Sequence, residues 1–345
     1  MTRGLILFRE ALGSTWRTDS PFLLCAYHRD VFPPAGKETL GPPSSALRGR
    51  TLGSDFSGKD GFSMYHGTEV SGFPRHPHRG FETVTLAKMG YLDHADSLGC
   101  GGRFGGGDGQ WMTAGRGIEH SEMAPCLRND AVNDTEVFQL WLNLPRSSKL
   151  CDPDFKMLWR HDLPKIKTND ATLTLICGHL AGFPEKPPSP PVNSYAADSA
   201  NSVLILLVAL ENGASYTVPP GPPSVHRNVY FFEGNACIIG DELFKEKSRI
   251  KVKSDEACTI TNPSSSGNTR GSSTVMILQG KAIDEPVVQH GPFVGNSRED
   301  ILQAFHDYEN RQFGNWPWPK DDPTHDPSAP RFASYPDGSR EEFPL

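Results

Sequence analysis

The sequence predicts an all-β fold of two β-barrel (jelly-roll-like) domains with one short helix near the C-terminal end. Of 345 residues, 34 are Gly and 30 are Pro while only 22% are charged, too many turn-formers for a helix bundle or coiled coil. Short apolar or alternating runs recur along the chain, each bounded by Gly, Pro, Asn or Asp, as expected for many short strands joined by tight turns. A Pro-containing polar stretch, LPRSSKLCDPDF from Leu144 to Phe155, separates an earlier set of runs from a later one.

Taken in order, FETVTLAK (81–88) and EVFQLWLNL (136–144) read as strands of the first domain. ATLTLICG (171–178), SVLILLVAL (202–210), RNVYFFEG (227–234), ACIIG (236–240) and STVMILQG (273–280) read as strands of the second. The expected divisions are 1–145 for an N-terminal barrel, 146–313 for a C-terminal barrel ending in a helix, and 314–345 for an extended surface tail. The five prolines between Gly182 and Asn193 predict a stiff extended excursion inside the second domain. Ser297 and Asp300 form a capping-box pattern, Ile301, Phe305, Tyr308 and Gln312 follow at helical spacing, and Gly314 stands where a closing glycine is expected.

Charge narrows the function classes. The net charge is −7 and the pI about 5.9, so there is no general attraction to nucleic acid or anionic lipid. Lys245, Lys247, Arg249, Lys251 and Lys253 alternate with Ile250 and Val252, which reads as a strand with one solvated edge face. The apolar run before Arg9 and Glu10 is too short for a signal peptide or a membrane span. Seven scattered cysteines without a C-x-x-C pair read as reduced thiols, and the expected location is intracellular, cytoplasmic or nuclear.

The chemistry concentrates between His76 and Glu122. His76 and His78 stand two apart, and on a strand such residues share a face at roughly 6.6 Å, close enough to converge on one metal ion. His120 and Glu122 form a second pair of the same parity, and a closed barrel can bring the pairs together. Glu82, four residues after His78, competes with Glu122 as the carboxylate, and parity alone does not choose between them. His94 has only Asp96 beside it, and a hydrogen bond at a turn is its expected role. Such a donor set suits one borderline divalent first-row ion such as Fe(II), with Mn, Ni, Cu or Zn able to compete, and does not by itself choose among them. With three neutral imidazoles and one carboxylate the centre carries a charge of about +1, which favours a small aromatic or enolic substrate binding as its anion. The glycines from Gly99 to Gly117 lack the following helix of a phosphate loop and read as tight turns, with Trp111 and Met112 as core or pocket wall.

HPHRGFETVT (76–85), His94 to Gly99, and above all GDGQWMTAGRGIEHSEM (107–123) resemble the pirin family of the cupin superfamily. The likeness continues through LWLNLP, MLWRHDLP and WPWP, and SDFSGKDGFSMYHG (54–67) is closest to the longer bacterial-like and fungal-type members. It implies a bicupin of two barrels packed face to face, with one metal, usually iron, held in the first by His76, His78, His120 and Glu122, and Glu82 outside that set. It implies quercetin 2,3-dioxygenase activity, with Glu122 as the catalytic base taking the substrate's hydroxyl proton. It equally implies an iron-dependent transcription co-regulator acting through a protein partner, without direct nucleic-acid or membrane binding. A third reading of the same site is a non-oxidative Lewis-acid isomerase or cyclase. After residue 150 no two histidines stand two apart, so the second barrel is expected to hold no metal and to be filled by apolar side chains.

Overall fold

The computed structural model describes residues 4–183, 185–264 and 271–345. Pro184, one of the five prolines of the expected excursion, lies outside the described residues. Among the described residues the fold is built from β-strands, with one α-helix at Arg298–Glu309.

The compact units are not the linear segments expected. One consists of the chain up to Cys25 together with His161–Asp284, the other of Ala26–Arg160 together with Glu285–Leu345. Strand pairing explains the interleaving. The N-terminal strand Ile6–Ala11 runs antiparallel to Ser248–Val252, and near the other end of the chain Arg331–Ser334 pairs with Gly101–Gly105. The divisions expected at 145/146 and 313/314 are corrected accordingly, and the segment after residue 313, expected as an extended surface tail, contributes two strands to a sheet of that unit.

The unit containing His161–Asp284 has a seven-stranded sheet and a four-stranded sheet. One apolar cluster, including Leu206, Val208, Val229, Phe231, Val275 and Ile277, joins them to Val218, Ile239 and Ile260. The expected solvated edge at Lys245–Lys253 is corrected here: Ser248–Val252 is paired on both sides. Arg249 is buried against Glu10 at 2.9 Å and Asp19 at 2.7 Å. Those hydrogen bonds outweigh the cost of burying Asp19 and hold its carboxyl down at about 2.

The other unit places the histidine-bearing strands in one sheet, ordered Arg340–Phe343, Arg331–Ser334, Gly101–Gly105, Tyr91–Asp96, Ile118–Ala124 and Ser71–His78. A second sheet carries Asp154–Leu158, Asp108–Thr113, Phe81–Met89 and Asn133–Asn143. Ser71–His78 and Phe81–Met89 belong to different sheets, so the chain must turn sharply between them. Gly80 makes that turn with φ +85°, and a Cβ there would sit 2.0 Å from the Val294 carbonyl oxygen, so no other residue fits. Buried Lys149 clamps the turn by donating from Nζ to the Gly80 carbonyl at 3.0 Å and to Asn143 Oδ1 at 2.6 Å.

The glycine-rich stretch is only partly turns. Gly99, Gly106, Gly107, Gly115 and Gly117 have positive φ, as a turn reading requires. Gly101 and Gly102 are strand residues, and there the need is for space: a Cβ on Gly101 would meet Trp318 at 2.7 Å and one on Gly102 the Phe332 carbonyl at 2.6 Å. The C-terminal segment therefore closes on the outer face of the histidine sheet.

The helix has the expected capping box, Ser297 Oγ accepting from the Asp300 amide and Asp300 accepting from the Ser297 amide. Ile301 and Ala304 pack with Phe293 and Phe313, with Phe305 and Tyr308 alongside. The helix stops at Glu309 with left-handed Arg311 just beyond, earlier than a closing Gly314 implied. It belongs to the histidine-bearing unit, where Asp307 pairs with Arg79 at 2.6 Å, not to the second barrel as expected.

Behind the histidine sheet, fully buried Arg103 makes a two-pronged pair with buried Asp93 at 2.7 and 2.8 Å. Its remaining N–H groups donate to the carbonyls of His325, Asp326 and Ala329, tying the C-terminal segment down. Removing one partner of such a pair strands the other charge. Arg103→Met should lower unfolding free energy by about 3–5 kcal/mol in urea titration, and Arg103→Met with Asp93→Leu should recover part of that loss.

Candidate metal centre

Register brings the imidazoles together. Ser71–His78 runs antiparallel to Ile118–Ala124 with His76 directly opposite His120 and His78 opposite Ile118, after a bulge between Phe73 and His76. Cross-strand partners share a face, so His76, His78 and His120 all point to the interior side of their sheet. Their ring centroids lie 4.3 Å (His76 to His120), 4.8 Å (His76 to His78) and 4.9 Å (His78 to His120) apart. One ring nitrogen from each falls within 4.8 Å of the others.

The hydrogen bonding leaves these nitrogens available. His76 Nδ1–H donates to the Pro74 carbonyl at 2.8 Å, which fixes the tautomer and turns Nε2 into the lone-pair donor. His120 is fully buried with neither ring nitrogen hydrogen-bonded, and His78 is buried without a hydrogen bond of ordinary geometry at either nitrogen. Burial holds His76 down at about 4 and pushes His78 and His120 well below the ordinary histidine range. The imidazoles are thus neutral near pH 7, the form that ligates metal. Buried polar atoms without partners carry a cost, and a cation seated among the three nitrogens removes it.

Glu122 shares the interior face of its strand with His120, its Oε2 lying 3.8 Å from His120 Nε2. The opposite sheet orients it: Gln139 Nε2 donates to Oε2 at 2.7 Å and Thr85 Oγ1 to Oε1 at 3.2 Å. Burial raises its carboxyl pKa despite those donors.

Glu82 is elsewhere. Thr85 reaches Glu122 and Phe81 packs on His78, so the odd-numbered residues of Phe81–Met89 face the site. Glu82 points the other way, accepting from Trp111 Nε1 at 3.0 Å and Thr113 Oγ1 at 2.8 Å. Parity counted from His78 to Glu82 breaks at the Gly80 turn, where one strand ends and another begins.

His94, expected at a turn, is a fully buried strand residue opposite Glu122 in register. Its Nε2–H donates to Asp96 Oδ2 at 3.0 Å, its ring stacks on Phe155, and it lies 5.6 Å from His120. The signal for it was the H-x-D parity itself, since Asp96 stands opposite His120.

The loop before the histidines forms an aromatic lip. Phe73 stacks on Tyr65 at 5.2 Å and contacts Phe56, His66 and His76, and Phe56 is more than half exposed. Asp55 holds this loop through Arg50, Ser57 and the Met64 amide, and those bonds keep its carboxyl at about 2.

Among the described residues no disulfide joins any of the seven cysteines. Among the described residues no helix is long and apolar enough to cross a membrane.

Comparison with known proteins agrees with this architecture. The pirin family model matches residues 44–142, and the model of the pirin C-terminal cupin domain matches 205–314. A rat protein named pirin is 35% identical over 256 residues, covering 73% of this chain and 81% of its own. A Pseudomonas aeruginosa protein named as a candidate quercetin 2,3-dioxygenase is 35% identical over 250 residues, covering 70% and 80%. The crystal structure of a quercetin 2,3-dioxygenase from Acinetobacter baumannii superposes with a TM-score of 0.67 at 26% identity, covering 90% of this chain and 96% of that one. With two cupin-type domains, matched by both models and by relatives along most of its length, this chain belongs to the pirin family of the cupin superfamily.

Proposed function

We propose that this protein is a mononuclear metal oxygenase of the quercetin 2,3-dioxygenase type, acting on a flavonol or a related enolic or phenolic substrate. The observation that carries the reading is the convergence of three neutral imidazoles, buried His78 and His120 and half-buried His76, whose ring nitrogens lie within 4.8 Å of one another. His76, His78 and His120 hold the ion, with Glu122 as the carboxylate beside them, and Fe(II) is the resident metal that this donor set suits. When bound, the metal supplies Lewis acidity toward the substrate hydroxylate and a site for dioxygen chemistry. Relatives named for quercetin 2,3-dioxygenase support the substrate class.

The protein's own residues position and deprotonate the substrate. Phe73, Phe56 and His66 present a partly exposed aromatic surface next to His76, on which a planar phenolic ring can stack. Glu122 takes the hydroxyl proton at Oε2, and its raised pKa brings it nearer the range of an effective base. The Gln139 amide and the Thr85 hydroxyl hold the carboxylate in place during the transfer.

The decisive measurement is metal content together with oxygen uptake. Protein purified without added metal should contain one equivalent of metal and consume oxygen on addition of quercetin. A full equivalent of Fe(II) with no uptake for any flavonol would overturn the oxygenase reading.

His76→Ala, His78→Ala and His120→Ala should each lose metal by elemental analysis while keeping the far-ultraviolet spectrum of a folded β-protein. Glu122→Gln should retain part of the metal and lose the flavonol-dependent uptake by on the order of a hundredfold or more, the usual scale for a lost general base. Glu82→Gln should leave metal content unchanged, since its carboxylate serves Trp111 and Thr113. If Glu82→Gln strips the metal and Glu122→Gln does not, the carboxylate assignment is reversed.

Acid should weaken the metal-free protein through its buried histidines. His28 and His76 are both held down at about 4 by burial, against about 6.5 when unfolded. Below pH 6.5 the unfolded chain binds protons that the folded chain refuses. Their contribution is therefore complete above about 6.5 and falls away as pH drops toward 4. Denaturant midpoints of metal-free protein should decline over that window, and metal-loaded protein should resist the decline at its upper end.

A further inference from the structure

The unit containing His161–Asp284 has a cavity of about 750 Å³ that plays no part in the centre described above. Its floor continues the apolar rows of the sheet interior. Val229 and Phe231 face the apolar cluster from one strand, and Val275 and Ile277 from the neighbouring one. Two residues along each strand the same face carries Arg227 and Gln279, opposite one another in register, with Leu204 next across. Arg227 and Gln279 are 2% and 7% exposed, and both line the cavity. Proline-rich segments around Pro188 and Pro220 form the walls, and exposed His179, Lys186 and Asp198 lie at the rim.

Among the described residues, Arg227 is a buried cation without a counter-charge. Nε donates to Gln279 Oε1 at 2.7 Å and Nη1 to the Pro219 carbonyl at 3.0 Å, and among the described residues no carboxylate pairs with it. A guanidinium has five N–H groups and does not deprotonate in proteins, so two neutral acceptors leave its charge unbalanced. Elsewhere in this chain the buried arginines are paired: Arg103 with Asp93, Arg249 with Glu10 and Asp19, and Arg331 with Asp108. The mouth of a β-barrel is a common ligand site, and 750 Å³ is within the usual range for a small organic molecule.

We propose that this cavity binds a small organic anion, its carboxylate or phosphate seated on Arg227 and its organic part lying against the proline walls. Gln279 orients the guanidinium, and Lys186 adds positive potential at the rim against the opposing charge of Asp198. The ligand thereby supplies the counter-charge that the polypeptide lacks, in a charge-assisted, fork-like contact.

Calorimetric titration of the full-length, metal-loaded protein tests this with benzoate, phenyl phosphate and inorganic phosphate as anionic probes and benzamide as the neutral isostere. Benzoate or phenyl phosphate should bind one to one in the millimolar range or tighter, benzamide at least tenfold more weakly. Preference between the two aromatic probes assigns carboxylate or phosphate as the recognised group. Arg227→Met should weaken binding at least tenfold, and Ala197→Trp, which fills the exposed rim without touching Arg227, should do the same if the first variant folds poorly. Absence of binding by both aromatic anions, equal binding of benzamide, or unchanged affinity in Ala197→Trp overturns the proposal.

Discussion

The candidate centre depends on one antiparallel register. His76 faces His120 because a bulge between Phe73 and His76 absorbs one residue on the Ser71–His78 strand. Without it the last part of that strand would slip by one position, and His76 and His78 would rotate to the opposite face while Arg75 and Pro77 turned inward. The Gly80 turn and the buried Lys149 clamp then fix where the strand ends. They also carry the following strand into the other sheet, where Thr85 and Gln139 reach back to Glu122.

The outer face of the same sheet is held by charge rather than by a large apolar layer. Arg75 pairs with Glu119 at 2.7 Å and lies over Trp316, while Arg103 binds Asp93 and four carbonyls of the C-terminal segment. Alternation makes this possible: the residues next to the interior imidazoles point outward, and among them Arg75, Glu119 and Asp93 form ion pairs at the back of the sheet. Interior histidines and exterior ion pairs thus sit on the same strands, so the tail stiffens the strands that position the imidazole nitrogens.

Local periodicity was legible, and long-range pairing was not. The H-x-H and H-x-E spacings predicted a common face because parity holds within a strand, and His76, His78, His120 and Glu122 do share one. Glu82 was ambiguous because the count crossed Gly80, where parity resets. His94 was underrated because its neighbours in space, Phe155 and His120, lie on other strands. The helix and its capping box were read correctly because a cap is local, yet its membership in the histidine-bearing unit depends on contacts such as Asp307 with Arg79, 228 positions away. The alternating lysines looked like an edge because nothing in their own run reveals that Ile6–Ala11, more than two hundred residues earlier, covers them.

The two units show how a period-two fold assigns chemistry by what stands at the end of an interior row. In both, alternate residues of successive strands build an enclosed face, and the polypeptide must then finish that face near solvent. In one unit the row ends in imidazoles, which stay neutral when buried and therefore ask for a cation. In the other it ends in a guanidinium, which stays charged when buried and therefore asks for an anion. The imidazoles avoid the cost of burial by shedding a proton, as the lowered pKa of His76 shows, whereas Arg227 has no such escape. A histidine at the Arg227 position would remove the demand for a counter-ion, and an arginine at the His120 position would exclude a metal by repulsion. Identity at these two interior positions is thus enough to give similar strand frameworks opposite ligand preferences.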